Sequence, residues 1–223
     1  MDGTLVDSTA GVVGAWHVFA QTYPGLDVQD ILSSAHGVRT VENLRIYCGI
    51  EDPEEQEREA VRFEEAIVTS ANQNGKSGIV PLPGVLSLMK EILPGAKGPN
   101  PSWAICTSAT RKYAQAALSA AGITPPEIFV ASEDVTKGKP APDPYLLGAE
   151  RCGVEPSRCL VVEDAPAGIK SGKAAGCKTL GLITSHTKEQ VEAATPDFIT
   201  KDLSSVTMKL SENGGVDVTI IVD

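Results

Sequence analysis

Residues 1–8 read MDGTLVDS: an acid beside a tight glycine turn (Asp2-Gly3-Thr4), apolar Leu5 and Val6, then Asp7-Ser8. The run is a turn rather than a helix, and it reads as half of an active site. A strand normally leads into such a turn, and in this sequence only Met1 stands before Asp2. The fold follows from what this turn is joined to further along the chain.

After residue 84, short β-rich runs alternate with helices. The runs are 103–107, 128–131, 159–163, 179–184 and 197–200, with helices at 84–93, 111–121, 143–152 and 166–175. Gly122, Gly153 and Gly176 close the last three helices. Alternation of this kind predicts βαβ crossovers, an α/β fold of Rossmann-like parallel sheet with helices on both faces, and ligands at the carboxyl ends of strands. The run 216–222 is expected to form an edge strand.

Between the opening turn and residue 84 the pattern is helical. Val12, Trp16, Phe19 and Tyr23 share one face of a helix over 11–23 that Pro24-Gly25 stops. A short helix is expected over 27–34, and Val41, Leu44 and Cys48 mark another that Gly49 ends. Asp52-Pro53-Glu54-Glu55 supplies a cap, a first-turn proline and acids. The helix it starts should run to about Asn72, with Val61, Ile67 and Val68 buried. Residues 74–84, with two prolines and three glycines, read as the return hinge.

The 223 residues suffice for one domain with an insertion. A net charge of -10 repels nucleic-acid backbones and anionic membranes, so neither is an expected partner. An acidic protein that handles phosphates needs a local metal ion, lysine or helix N-terminus. The five cysteines are scattered with no CxxC pair, which predicts reduced thiols and no zinc site. Asp2 and Asp7 stand where a signal peptide needs positive charge, and no apolar run reaches membrane-spanning length. A cytoplasmic location is therefore expected.

Candidate chemistry collects at the strand ends. Thr107-Ser108-Ala109-Thr110 could hold phosphate oxygens through hydroxyls and amides, and Ser108 or Thr110 could equally serve as a helix cap. Lys137 to Pro144, KGKPAPDP, is a stiff loop that would hold Lys139 as a fixed positive charge, or a plain connector with solvated lysines. Glu163-Asp164 emerge together from a buried strand, where two acids are costly unless they bind something; a few oxygen ligands suit Mg2+.

These residues resemble the four ordered motifs of the haloacid dehalogenase-like hydrolases: DGTLVDS, Thr107 in ICTSAT, Lys139 in GKPAPDP, and VVEDAPAGI. Residues 10–82 resemble the helical cap of one branch, leaving 1–9 and 83–223 as the core. HGVRTVENLRIYCGI, EDAPAGIKSGKAAGCK and VDVTIIVD resemble the fungal glycerol-phosphate and 2-deoxyglucose-6-phosphate phosphatases. Phosphoglycolate phosphatases and phosphomutases share the motifs.

The resemblance implies an aspartyl-phosphate route on a small sugar or polyol phosphate in a monomeric, Mg2+-dependent enzyme. It makes Asp2 the general acid and base, with its backbone carbonyl on the metal. Asp164 and Glu163 would hold Mg2+, Asp164 directly, while Thr107 and Lys139 bind the phosphoryl group beside Ser108 and Ala109. Arg39, with His36 on the cap loop, would reach the substrate body or close over the site; a surface ion pair is the other reading of Arg39. Asp at position 2 favours phosphoryl transfer, because an alkoxide leaving group needs a proton.

The family's nucleophile stands two residues before the general acid. In this sequence that residue and its central strand are absent, which would leave unpaired backbone groups costing roughly 1–3 kcal/mol each when buried. The expectation is a start at an internal Met, with about ten further residues in a full-length form, one strand's worth. The rival is a non-catalytic derivative that binds a phosphate or a partner.

Overall fold

A computed structural model describes residues 1–35, 37–71, 78–98, 101–212 and 214–221. The opening turn leads into β1 (Val6–Asp7), followed by α1 (Thr9–Thr22), α2 (Val28–Ser34), α3 (Thr40–Cys48) and α4 (Pro53–Ala71). The chain then returns through β2 (Val80–Pro81), which pairs antiparallel with β1 in the register Val6↔Pro81. The helical stretch therefore leaves and re-enters the molecule at one place. Residues 74–77 of the expected hinge, and Asn72, lie outside the described residues.

Local chemistry explains the helix ends. Asp27 accepts the amides of Gln29 and Asp30 at the start of α2, and Asp52 accepts the Glu55 amide at 2.8 Å beside Pro53. Gly49, at φ 69°, ends α3 in the left-handed conformation that glycine adopts without penalty. Trp16 and Phe19 of α1 pack on Phe63 of α4 with ring centroids 4.6 and 5.0 Å apart, the second pair edge-to-face. Leu44 of α3 is fully enclosed in the same cluster.

The buried stripe of α4 is Ala60, Phe63, Glu64, Ile67 and Ala71. Val61, expected inside, is 41% exposed because it lies one position off that stripe. Ile67 is buried as expected, and Val68 is half-buried against the core.

The remainder carries the α/β alternation. It runs α5 (Val85–Ile92), β3 (Ile105–Cys106), α6 (Arg111–Ala120), β4 (Phe129–Val130), α7 (Asp143–Cys152) and β5 (Leu160–Glu163). It continues with α8 (Pro166–Ala174), β6 (Lys178–Leu182), α9 (Lys188–Ala193), β7 (Phe198–Thr200), β8 (Val206–Leu210) and β9 (Val216–Ile220).

β3 pairs with β4, and β5 with β6 with β7, all in parallel. Among the described residues these form two separate sheets, with no ladder joining β3 to β5. α7 packs on β3 and β4, and α8 on β5 and β6. The strands are shorter than the apolar runs suggest, because a ladder needs a partner along its whole length.

The closing strand β9 pairs antiparallel with β8, an unforeseen strand, and β8 packs on α5. Helix α9 was likewise unforeseen, although Thr187 and Gln190 form its capping box. Among the described residues no helix is long and apolar enough to cross a membrane.

Candidate active site

The opening turn, the end of β3, the loop before α7 and the end of β5 meet around one cavity. Asp2, Thr107, Lys139, Glu163 and Asp164 line it from these elements, and Trp16, Thr40, Phe63 and Glu64 line it from the helical stretch. Ser108 and Ala109 are also in its wall. The four sequence motifs therefore reach one place.

The turn is tied to two strand ends. Thr4 Oγ1 donates to Asp164 Oδ1 at 2.6 Å, and Thr184 Oγ1 donates to the Gly3 carbonyl. Gly3 has φ +71°, and a Cβ there would lie 2.1 Å from Asp164 Oδ2. Only glycine lets the Asp164 carboxylate lie against the turn. Asp2 Oδ1 accepts from Ser8 Oγ at 2.6 Å and from Tyr113 OH at 2.8 Å.

Lys139 is 2% exposed. Its Nζ donates to the Cys106 carbonyl at 3.0 Å and to Glu163 Oε1 at 2.5 Å, spanning from the end of β3 to the end of β5. Glu163 also accepts from Tyr145 OH at 2.5 Å and from the amides of Asp164 and Ala165. Burial pushes the Glu163 carboxyl up, but Lys139, the amino-terminal charge of Met1 and the Tyr145 hydroxyl outweigh burial and hold it at about 2. Glu163 is thus the partner of the lysine in this arrangement.

Asp164 is different. Among the described residues its oxygens accept from hydroxyls alone, Thr4 at Oδ1 and Ser185 at Oδ2. Burial, and then the charge on Glu163, push its carboxyl up from the ordinary aspartate value. Among the described residues no group of three or more His, Cys, Asp or Glu side chains converges as a metal site. A small hard cation, however, needs only one or two carboxylates and fills its remaining positions with water. A buried carboxylate with hydroxyl donors and no described salt-bridge partner fits such an ion, so Asp164 is better suited than Glu163 to hold a hard divalent cation.

The Thr107 side chain is buried, and its Oγ1 accepts the Ala109 amide at 3.2 Å. Ser108 Oγ donates to the Gly37 carbonyl at 2.9 Å, joining the β3 loop to the α2–α3 loop. A Cβ on Gly37 would lie 2.5 Å from Ala165 Cβ, so that loop approaches the start of α8 closely. Arg39 does not line the cavity. It pairs with Glu42 at 2.6 Å, reaches the Val135 carbonyl at 3.5 Å, and covers Gly138 of the lysine loop. His36 lies outside the described residues.

Four residues at the site escaped sequence reasoning: Glu64, Tyr113, Tyr145 and Ser185. Glu64 had a signal, an acid at core spacing among Ala60, Phe63 and Ile67. The tyrosines carry no such signal, because a phenol is marked as polar only by the partner it meets.

A family model described as haloacid dehalogenase-like hydrolase matches residues 1–176. Hexitol phosphatase A of Escherichia coli (strain K12) is 36% identical over 97% of this chain and 94% of its own length. Glycerol-1-phosphate phosphohydrolase 2 of Saccharomyces cerevisiae is 33% identical over 92% of this chain and 81% of its own length.

Among solved structures, a hydrolase from Pseudomonas syringae superposes with TM-score 0.74 at 26% identity, over 92% of both chains. CbbY of Rhodobacter sphaeroides, in complex with phosphate, shares the fold with TM-score 0.75 at 20% identity, over 96% of this chain and 94% of its own. With the motifs meeting at one cavity and relatives matched along nearly the whole length, the chain belongs to the haloacid dehalogenase-like hydrolase family.

Proposed function

We propose that this chain serves the Mg2+-dependent hydrolysis of small sugar or polyol phosphate monoesters. The observation that carries the reading is the convergence of Asp2, Thr107, Lys139 and Asp164 on one cavity. Lys139 is the one Lys or Arg among the described residues lining it. The names of the relatives, phosphatases of a hexitol phosphate and of glycerol 1-phosphate, support the substrate class. Residues 10–82 would act as a cap over a core of 1–9 and 83–223, in a cytoplasmic monomer.

Thr107 and the Ser108 and Ala109 amides would hold the phosphoryl oxygens at the start of α6. Lys139 would balance phosphoryl charge while keeping Glu163 neutralised. Asp164 and the Asp2 carbonyl would hold Mg2+, which when bound supplies further positive charge at the phosphoryl group. The Asp2 carboxyl, oriented by Ser8 and Tyr113, would pass its proton to the leaving alcohol and take one back from water. Trp16, Phe63 and Ile67 would exclude solvent from above.

The test compares the wild-type protein with its Asp2→Asn and Asp164→Asn variants. Phosphate release is measured from hexitol phosphate, glycerol 1-phosphate and 2-deoxyglucose 6-phosphate, with and without Mg2+. Metal-dependent release by wild type, lowered at least about tenfold by either substitution, is expected. Equal release by the variants would overturn the roles assigned here, and no release by wild type would overturn the function.

A further inference from the structure

Glu64 of α4 is 4% exposed and lines the cavity, yet the chemistry above does not use it. Its Oε1 accepts the Thr110 amide at 3.1 Å and Thr40 Oγ1 at 3.2 Å, and its Oε2 accepts Thr110 Oγ1. No described lysine or arginine pairs with it, and burial pushes its carboxyl up from the ordinary range. A carboxylate held by hydroxyls and one amide is a costly way to pack a helix whose neighbouring inward positions are Ala60, Phe63 and Ile67.

Thr110 caps α6, its Oγ1 accepting the Tyr113 amide at 3.3 Å, and Tyr113 OH donates to Asp2 Oδ1 at 2.8 Å. Hydrogen bonds thus link Thr40, Glu64, Thr110 and the Tyr113 amide, and the Tyr113 side chain carries the connection on to Asp2. This connection begins in the helical stretch, passes the end of the 107–110 loop and finishes on the expected acid.

We propose that Glu64 is a positioning residue: it docks α4 on the start of α6, and through Thr110 and Tyr113 sets the 107–110 loop and Asp2 together. The inference rests on the phosphate-binding role assigned to that loop above. It adds that the helical stretch does more than roof the cavity. Seating α4 aligns both groups at once, so binding geometry depends on a residue that touches neither phosphate nor metal.

A control lies beside it. Glu65 pairs with Lys112 at 2.9 Å across the same two helices, but both side chains are exposed, so this pair joins the helices without entering that connection.

The experiment is hydrogen–deuterium exchange on the full chain for Glu64→Ala, Glu64→Gln and Glu65→Ala, with inorganic phosphate affinity measured in parallel. Glu64→Ala is expected to speed exchange in peptides spanning 107–114 by about tenfold, the equivalent of one charge-assisted hydrogen bond, and to leave β6 unchanged. Glu64→Gln keeps an acceptor for the Thr110 amide and should restore most of the protection. Glu65→Ala should change exchange by less than about twofold, as exposed pairs contribute little. Weaker phosphate binding should accompany Glu64→Ala only.

Uniformly faster exchange in 107–114 and in β6 would show plain destabilisation and overturn the proposal. So would equal effects of Glu64→Ala and Glu65→Ala. If Glu64→Ala does not fold, Glu64→Met, of similar volume but with no oxygen acceptor for Thr110, takes its place in the same comparison. If wild type binds no phosphate, the functional reading falls, and the local exchange pattern still judges the positioning role.

Discussion

Replacing Lys139 by Met removes the one Lys or Arg among the described residues lining the site and leaves Glu163 buried beside Asp164. The two side chains are 3% and 5% exposed and 2.5 Å apart, so solvent screens little of their attraction. Glu163 is held at about 2 instead of its ordinary 4.5, and by proton linkage that gap is worth on the order of 3 kcal/mol at neutral pH. Breaking a buried pair from one side costs roughly 3–5 kcal/mol, which agrees.

The sign with pH follows. In wild type the contribution is fully present above about 4.5 and is lost as pH falls toward about 2. In Lys139→Met, burial acts on Glu163 without the ammonium, so the carboxyl favours its neutral form and the deficit should shrink on acidification from pH 7 toward about 5. Urea unfolding of wild type, Lys139→Met, Glu163→Gln and the double variant measures this. The double variant should recover most of the loss, because both charges are gone. A Lys139→Met deficit under about 1 kcal/mol, or one that does not shrink with falling pH, would refute the argument.

Two further outcomes are expected. Gly3→Ala should cost at least about 2 kcal/mol in thermal unfolding, and should weaken Mg2+ binding measured by calorimetry. Its φ of +71° penalises any Cβ, and that Cβ would stand 2.1 Å from Asp164 Oδ2. Leu44→Ala should cost about 2–5 kcal/mol in urea, because the side chain is fully enclosed between helices that cannot close the cavity completely.

The helices between β1 and β2 were legible in the sequence because their signals are local. Asp27, Asp52-Pro53 and Gly49 act within one turn, and Trp16, Phe19, Leu44 and Ile67 recur at helical spacing. The βα alternation after residue 84 was equally visible, and it set Thr107, Glu163 and Asp164 at strand ends and Lys139 in the loop before α7. Strand β8 and helix α9 were not recognised: β8 shows as a strand only beside β9, and the Thr187–Gln190 box sits on a helix of six residues.

What the sequence determined by itself was the order of elements and the residue types at the ends of strands, since periodicity, caps and glycine turns are properties of neighbouring positions. Tertiary structure alone decided which of those residues touch. It assigned Glu163 to Lys139 and left Asp164 to hydroxyls; it set Arg39 on Glu42 and Val135; and it connected Glu64 through Thr110 and the body of Tyr113 to Asp2. The physical reason is that charge and hydrogen bonding act over a few ångströms through space, between positions as far apart as Tyr113 and Asp2, whereas sequence pattern reports only what lies within a turn or two along the chain.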